Sequence, residues 1–142
     1  MSLSQLIYTS TCTDAMTPQK SVLISCKSVE VCRSLGLTGR VFANNRKALA
    51  MTEGPTEIVQ RYFQAVQSDP LVQTIMLHSN NTITAREFVD YSVWLNVGVN
   101  FAPCRGVRVM TRESIRSAFP SQASARIRIM AEGYLDAAML AS

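Results

Sequence analysis

Apolar and polar positions recur along the chain with two different periods, and the switches between them mark its elements. Leu3 to Ser10 mixes apolar and β-favouring residues and runs into the polar stretch Thr11 to Thr17, which predicts a first strand. Thr17-Pro18 has the form of an N-cap followed by proline in the first turn, and Val22, Cys26 and Val29 recur at helical spacing up to Gly36. Leu37 to Ala43 and Ala48 to Thr52 flank the polar Asn44-Asn45-Arg46-Lys47, the pattern of a hairpin closed by Glu53-Gly54-Pro55. Pro55 suits the first position of a second helix, whose stripe Ile58, Val59, Tyr62, Phe63 and Val66 stops at Asp69-Pro70. Val72 to Leu77 and Tyr91 to Val97 predict two more strands, with Ser79-Asn80-Asn81-Thr82 as turn material between them.

The order strand, helix, strand, strand, helix, strand, strand predicts an α+β fold: a ferredoxin-like βαββαββ sheet with two helices on one face. Residues 1–99 form that unit and residues 100–142 a C-terminal helical extension. Asn100 to Met110, with Pro103 and Gly106, has the composition of a connector. Thr111 caps a short helix bearing Ile115, Ala118 and Phe119. Pro120-Ser121 opens a longer one, with a stripe of Ala123, Ile127, Met130, Ala131, Tyr134, Leu135 and Ala138. That stripe has to be buried, either on the free face of the sheet or in a dimer or partner contact, and the free face is the simpler home.

Composition narrows the chemistry. In 142 residues, 47% belong to the apolar set and 17% are charged, enough to build a real core. The four cysteines, Cys12, Cys26, Cys32 and Cys104, show no zinc-ligand spacing, and Cys26 and Cys32 read as small buried fillers. The sole histidine, His78, supports neither a metal cluster nor a GxSxG-type hydrolase and sits where a loop edge is expected. Trp94 suits core or interface alike. No run of apolar residues spans a bilayer and the N-terminus lacks a signal pattern, so the expectation is a soluble cytoplasmic protein with reduced thiols. The net charge is +4, and the segment after Pro103 holds six arginines against Glu113, Glu132 and Asp136. Arg112, Arg116, Arg126 and Arg128 read as solvated helix faces.

Several landmarks together resemble the BLUF family of flavin-binding blue-light sensors. They are Gln5-Leu6-Ile7-Tyr8-Thr9-Ser10, Gly36-Leu37-Thr38-Gly39 entering the second strand, Glu53-Gly54 closing the hairpin and Asp69 after the second helix. The resemblance covers roughly residues 3 to 97. It implies FAD as cofactor, with the isoalloxazine between the two sheet-packed helices, no metal, and a role in signal transduction. It maps the flavin pocket onto Tyr8, Ile24, Ser28, Cys32, Ala50, Tyr62, Val66 and Asp69.

It also implies a switch in which a first-strand tyrosine passes an electron and proton to the flavin while a third-strand glutamine rearranges. Tyr8 matches the tyrosine, but the glutamine position holds Ala50. Cys32 stands where the family has an asparagine, Leu71-Val72 where it has Arg-His, and Tyr91-Ser92-Val93 where it has Trp-Ser-Met. Alanine has no side-chain hydrogen bond to exchange, so the substitutions predict a scaffold kept and a photochemistry lost. The expectation is a non-enzymatic BLUF-like module acting through a protein partner or as a homo-oligomer. The alternative is a basic module binding nucleic acid through its C-terminal helices, which lack the aromatic or extended basic surroundings of a nucleic-acid groove.

Overall fold

The computed structural model describes residues 2–44, 46–102, 104–121 and 123–138, and for Arg112 and residues 136–138 the backbone alone. The expectations resting on Asn45 and Pro103, and on the side chains of Arg112, Asp136 and Ala138, lie outside the described residues. The elements are β1 (Leu3–Cys12), α1 (Pro18–Ser34), β2 (Thr38–Ala43), β3 (Lys47–Pro55), α2 (Thr56–Gln67), β4 (Val72–Ile83), β5 (Tyr91–Leu95), β6 (Val107–Val109), α3 (Arg112–Ser117) and α4 (Ala125–Ala138). They build one six-stranded sheet in the order β4-β1-β3-β2-β5-β6, the α+β ferredoxin-like arrangement. The β1–β3, β1–β4 and β2–β3 pairs are antiparallel, while β2–β5 and β5–β6 are parallel.

Local chemistry fixes the boundaries. The Thr17 hydroxyl accepts a hydrogen bond from the Lys20 amide at 3.2 Å with Pro18 in the first turn, and α1 runs out at Gly36, whose φ of 75° few other residues adopt. Gly39 is required for a different reason: a Cβ there would collide with the backbone carbonyl of Met51 on β3. Pro55 is the last residue of β3 and the N-cap of α2, one place earlier than the sequence pattern suggests.

The pleat divides the sheet residues between two cores. Leu6, Tyr8, Ala50, Val93 and Leu95 face α1 and α2. Ile7, Phe42, Leu49, Met51 and Trp94 face the other way and are covered by Ile127, Ala131 and Leu135 of α4. The α4 stripe thus packs on the free face of the sheet, and Trp94 is core. Each Leu or Ile buried there contributes about 1.5–3 kcal/mol.

The structure corrects several expectations. Ser79 to Thr82 is no turn: β4 continues through it, paired with Ser4 to Ile7 of β1 across a register shift. It is an edge strand with both faces near water, so its backbone ladder needs no apolar side chains. The connector holds a sixth strand, Val107–Val109, and α4 begins at Ala125 rather than at Pro120-Ser121. Arg126 and Arg128 are not merely solvated. Arg126 donates to Gln5 Oε1 at 3.4 Å, and Arg128 donates to the Pro120 carbonyl at 2.7 Å and lies over the Phe119 ring.

Cys26 is not a free filler but is disulfide-bonded to Cys104, 78 residues away, tying α1 to the segment before β6. The expectation of four reduced thiols is replaced by two free ones, Cys12 and Cys32. Alkylation without reductant should therefore modify at most two of the four cysteines, and reduction should expose all four. Loss of the bond should cost about 2 kcal/mol, low in the usual range because β6 pairing already holds the Cys104 segment near the sheet. A protein that takes four labels before reduction, with no change in denaturation midpoint on reduction, would contradict this. Among the described residues no helix is long and apolar enough to cross a membrane.

Candidate functional site: the slot between α1 and α2

Two short-side-chain surfaces meet above the sheet. On α1, Ser21, Ser25 and Ser28 point inward, and on the sheet the facing positions are Ala43, Ala48 and Ala50. Small side chains on both walls leave space unfilled where larger neighbours such as Tyr8, Tyr62 and Tyr91 hold helix and sheet apart. A slot remains, with the half-buried Met16, Asn44 and Asp69 also among its lining residues. Its free volume is about 160 Å³, roughly half that of the smallest clefts that hold drug-sized ligands, about 300 Å³.

Of the eight positions that the sequence maps to a flavin pocket, seven line this slot: Tyr8, Ile24, Ser28, Ala50, Tyr62, Val66 and Asp69. Val72 and Val93, two of the other substituted positions, also line it. Cys32 does not. It is fully buried beside the slot, against the hydroxyls of Tyr62 and Tyr91. Burial raises the Cys32 thiol pKa, and those two hydroxyls offset only part of the rise. This thiol is protonated at neutral pH and offers no nucleophile.

Tyr8 is buried, with its ring centroid 4.9 Å from that of Phe63. Its residue partner across the β1–β3 ladder is Ala50. The two positions on which the family's switch depends are thus directly opposed, and one of them is a methyl group. Burial, and secondarily Cys32, push the Tyr8 pKa well above that of an ordinary phenol. Thr52 lies close enough to lower it somewhat, yet its buried hydroxyl has no hydrogen bond of good geometry. Tyr62 and Tyr91 are raised in the same way, burial being the largest cause. All three phenols stay neutral across the physiological range.

Tested against an isoalloxazine, these residues do not fit. The slot is too small for three fused rings without movement of its walls. At positions that the sequence resemblance maps around the ring stand a methyl at Ala50 and aliphatic chains at Val72 and Val93, while the Cys32 thiol lies against tyrosines. What the wall retains is shape and hydroxyls, not amide pairs that donate and accept.

Sequence reasoning missed the inward serines Ser21 and Ser25. On a helix with little segregation of apolar residues they resemble a solvated face, and only their burial reveals the wall they form. His78 plays no part here: it is exposed on β4, where Nε2 lies 2.8 Å from Thr9 Oγ1.

The floor of the slot is braced from the opposite face of the sheet by a buried carboxylate. Glu53 of β3 is 0% exposed and accepts hydrogen bonds from Gln5 Nε2 at 3.1 Å, Thr38 Oγ1 at 2.9 Å and the backbone amides of Glu87 and Phe88 at 3.1 and 2.8 Å. The Glu-Gly landmark thus pins the segment entering β5 and has no contact with the slot.

Comparison with known proteins agrees with the fold. The family model described as BLUF, sensors of blue light using FAD, matches residues 3–94. No curated protein sequence matches the chain. Among solved structures, BlrB, a BLUF protein in its dark state, is 25% identical with a TM-score of 0.61, covering 82% of this chain and 77% of that one. BlrP1 of Klebsiella pneumoniae, in a complex with calcium and cy-diGMP, is 18% identical with a TM-score of 0.71. That match covers 96% of this chain and 34% of BlrP1. A bacterial light-regulated adenylyl cyclase is 18% identical with a TM-score of 0.60, over 67% of this chain and 28% of that one.

Proposed function

We propose that this chain, which belongs to the BLUF family of sensors of blue light using FAD, is a non-enzymatic signalling module of that family that has lost the flavin hydrogen-bond switch. In this reading it works by protein contact, with a partner or with a second copy. Residues 1–99 serve as the BLUF-like unit and 100–142 as its extension. The observation that carries the reading is the cross-strand pairing of Tyr8 with Ala50. A two-state switch needs a side chain that can exchange donor for acceptor beside the ring, and a methyl group can do neither. The roles of the slot residues follow from this. Tyr8, Tyr62 and Cys32 act as core packing, while Ile24, Ser28, Ala50, Val66 and Asp69 bound a space whose usual occupant finds no polar partners.

A further observation supports action by contact. The similar fold in BlrP1 and in the light-regulated cyclase makes up about a third or less of those chains, which suits a unit that acts on something attached or docked to it.

The test is flavin content. Protein produced with excess FAD and then freed of unbound ligand should release well under one flavin per chain on denaturation. A yellow preparation releasing close to one flavin per chain would overturn the reading that the slot lacks its cofactor.

A further inference from the structure

At the opposite end of the sheet from the small-residue slot lies a second, larger concavity of about 780 Å³. It forms where β2, β5 and β6 start side by side. The parallel register sets Arg40 beside Ser92 and Arg108 beside Trp94, so the two arginines lie on one face of the sheet. Arg33 reaches in from the last turn of α1 and Arg105 from the loop before β6. That loop is drawn against α1 by the Cys26–Cys104 disulfide and by Gly106, where φ is 83° and an added Cβ would lie 2.5 Å from Val29 Cγ1 and 3.1 Å from an Arg33 nitrogen. The fold thus brings four arginines to one bay, and Asp90 is the only carboxylate among its lining residues.

These charges are not equivalent. Arg40 is buried and engaged: it donates to the carbonyls of Ala118, Gly39 and Asp90 and pairs with the Asp90 carboxylate at 2.8 Å. Arg33 donates to the Tyr91 carbonyl at 3.3 Å and is 3.7 Å from Asp90. Asp90 is therefore already shared between two cations. Arg105 and Arg108 have no carboxylate partner among the described residues. Arg108 is held over the Trp94 ring, 5.7 Å from its centroid, which orients its guanidinium without using its donors. Glu30 lines the adjoining groove with Arg33 and Arg105 and makes no ion pair among the described residues.

We propose that this bay binds a small phosphate-bearing anion, gripped by the free guanidinium forks of Arg105 and Arg108 with Arg33 and Arg40 supplying fixed positive charge. Planar guanidinium groups match phosphate oxygens two at a time, and a volume in the range of ligand clefts admits a group as large as a mononucleotide. Binding does not depend on the state of the slot.

Calorimetric titration with inorganic pyrophosphate at low ionic strength should give saturable binding of one anion per chain. The Arg105→Ala/Arg108→Ala double variant should bind about a hundredfold more weakly, the loss of two charge-assisted contacts, with its thermal unfolding otherwise unchanged. Both side chains are exposed, so the variant tests the site without emptying the core. Raising the salt to physiological strength should weaken binding, since screening then sets in at about 8 Å. No saturable heat with pyrophosphate, or equal affinity in the double variant, would overturn the proposal. So would binding of a single-stranded oligonucleotide without any for pyrophosphate.

Discussion

Replacing Glu53 with alanine should cost about 4 kcal/mol of stability, close to the whole margin of a small domain. The carboxylate is fully buried and receives four hydrogen bonds, two from side chains on β1 and β2 and two from backbone amides leading into β5. Hydrogen bonds to a charged acceptor contribute about 1.5–3 kcal/mol each, and the orphaned donors lose their water without regaining a partner. Gln5 would keep Glu87 and Arg126 as neighbours, so part of the network survives and the losses do not simply add. Glu53→Gln retains one acceptor oxygen and should cost about half as much. Urea denaturation measures both, and a Glu53→Ala midpoint within error of wild type would show that these bonds contribute nothing net.

Arg40→Ala should be the next most damaging change, by about 3 kcal/mol. The guanidinium is only 7% exposed and joins four parts of the fold: β2 itself, the Asp90 turn, the Ala118 carbonyl at the end of α3, and the Phe88 ring 5.0 Å away. Burial lowers its pKa and Asp90 supports it, but it remains charged at any pH the protein meets. Removing it leaves three carbonyls without this donor and Asp90 with only the longer contact to Arg33. Arg40→Lys should not rescue fully, because one ammonium cannot span the same acceptors. A variant as stable as wild type with the C-terminal helices still docked would contradict this. Loss of α3 and α4 protection in hydrogen exchange, ahead of the rest, would fit it.

How much of this was legible differs by element. The caps at Thr17 and Thr111 and the stripe of α4 are local signals, written within a few residues of where they act. The slot was legible to the extent that a family layout could be overlaid on Tyr8, Ala50 and Asp69, because the hairpin sets only the β2–β3 register and the β1–β3 pairing of Tyr8 with Ala50 is non-local. Strand β6 was not, since three residues amid Gly106 and Cys104 show no period. Ser79 to Thr82 misled because polarity in an edge strand and polarity in a turn look alike. The disulfide and the arginine bay depend on residues from 26 to 108 meeting through the parallel β2–β5–β6 arrangement, which no local pattern encodes.

In the proposed function, the methyl opposite Tyr8 abolishes the light response. The direct test is a light-minus-dark absorption spectrum of the full chain in saturating FAD under blue illumination. The expected result is only the spectrum of free or passively held flavin, with no reversible red shift. A red-shifted state that forms in light and decays in the dark would contradict it, because it would show a working switch with Ala50 in the glutamine's place.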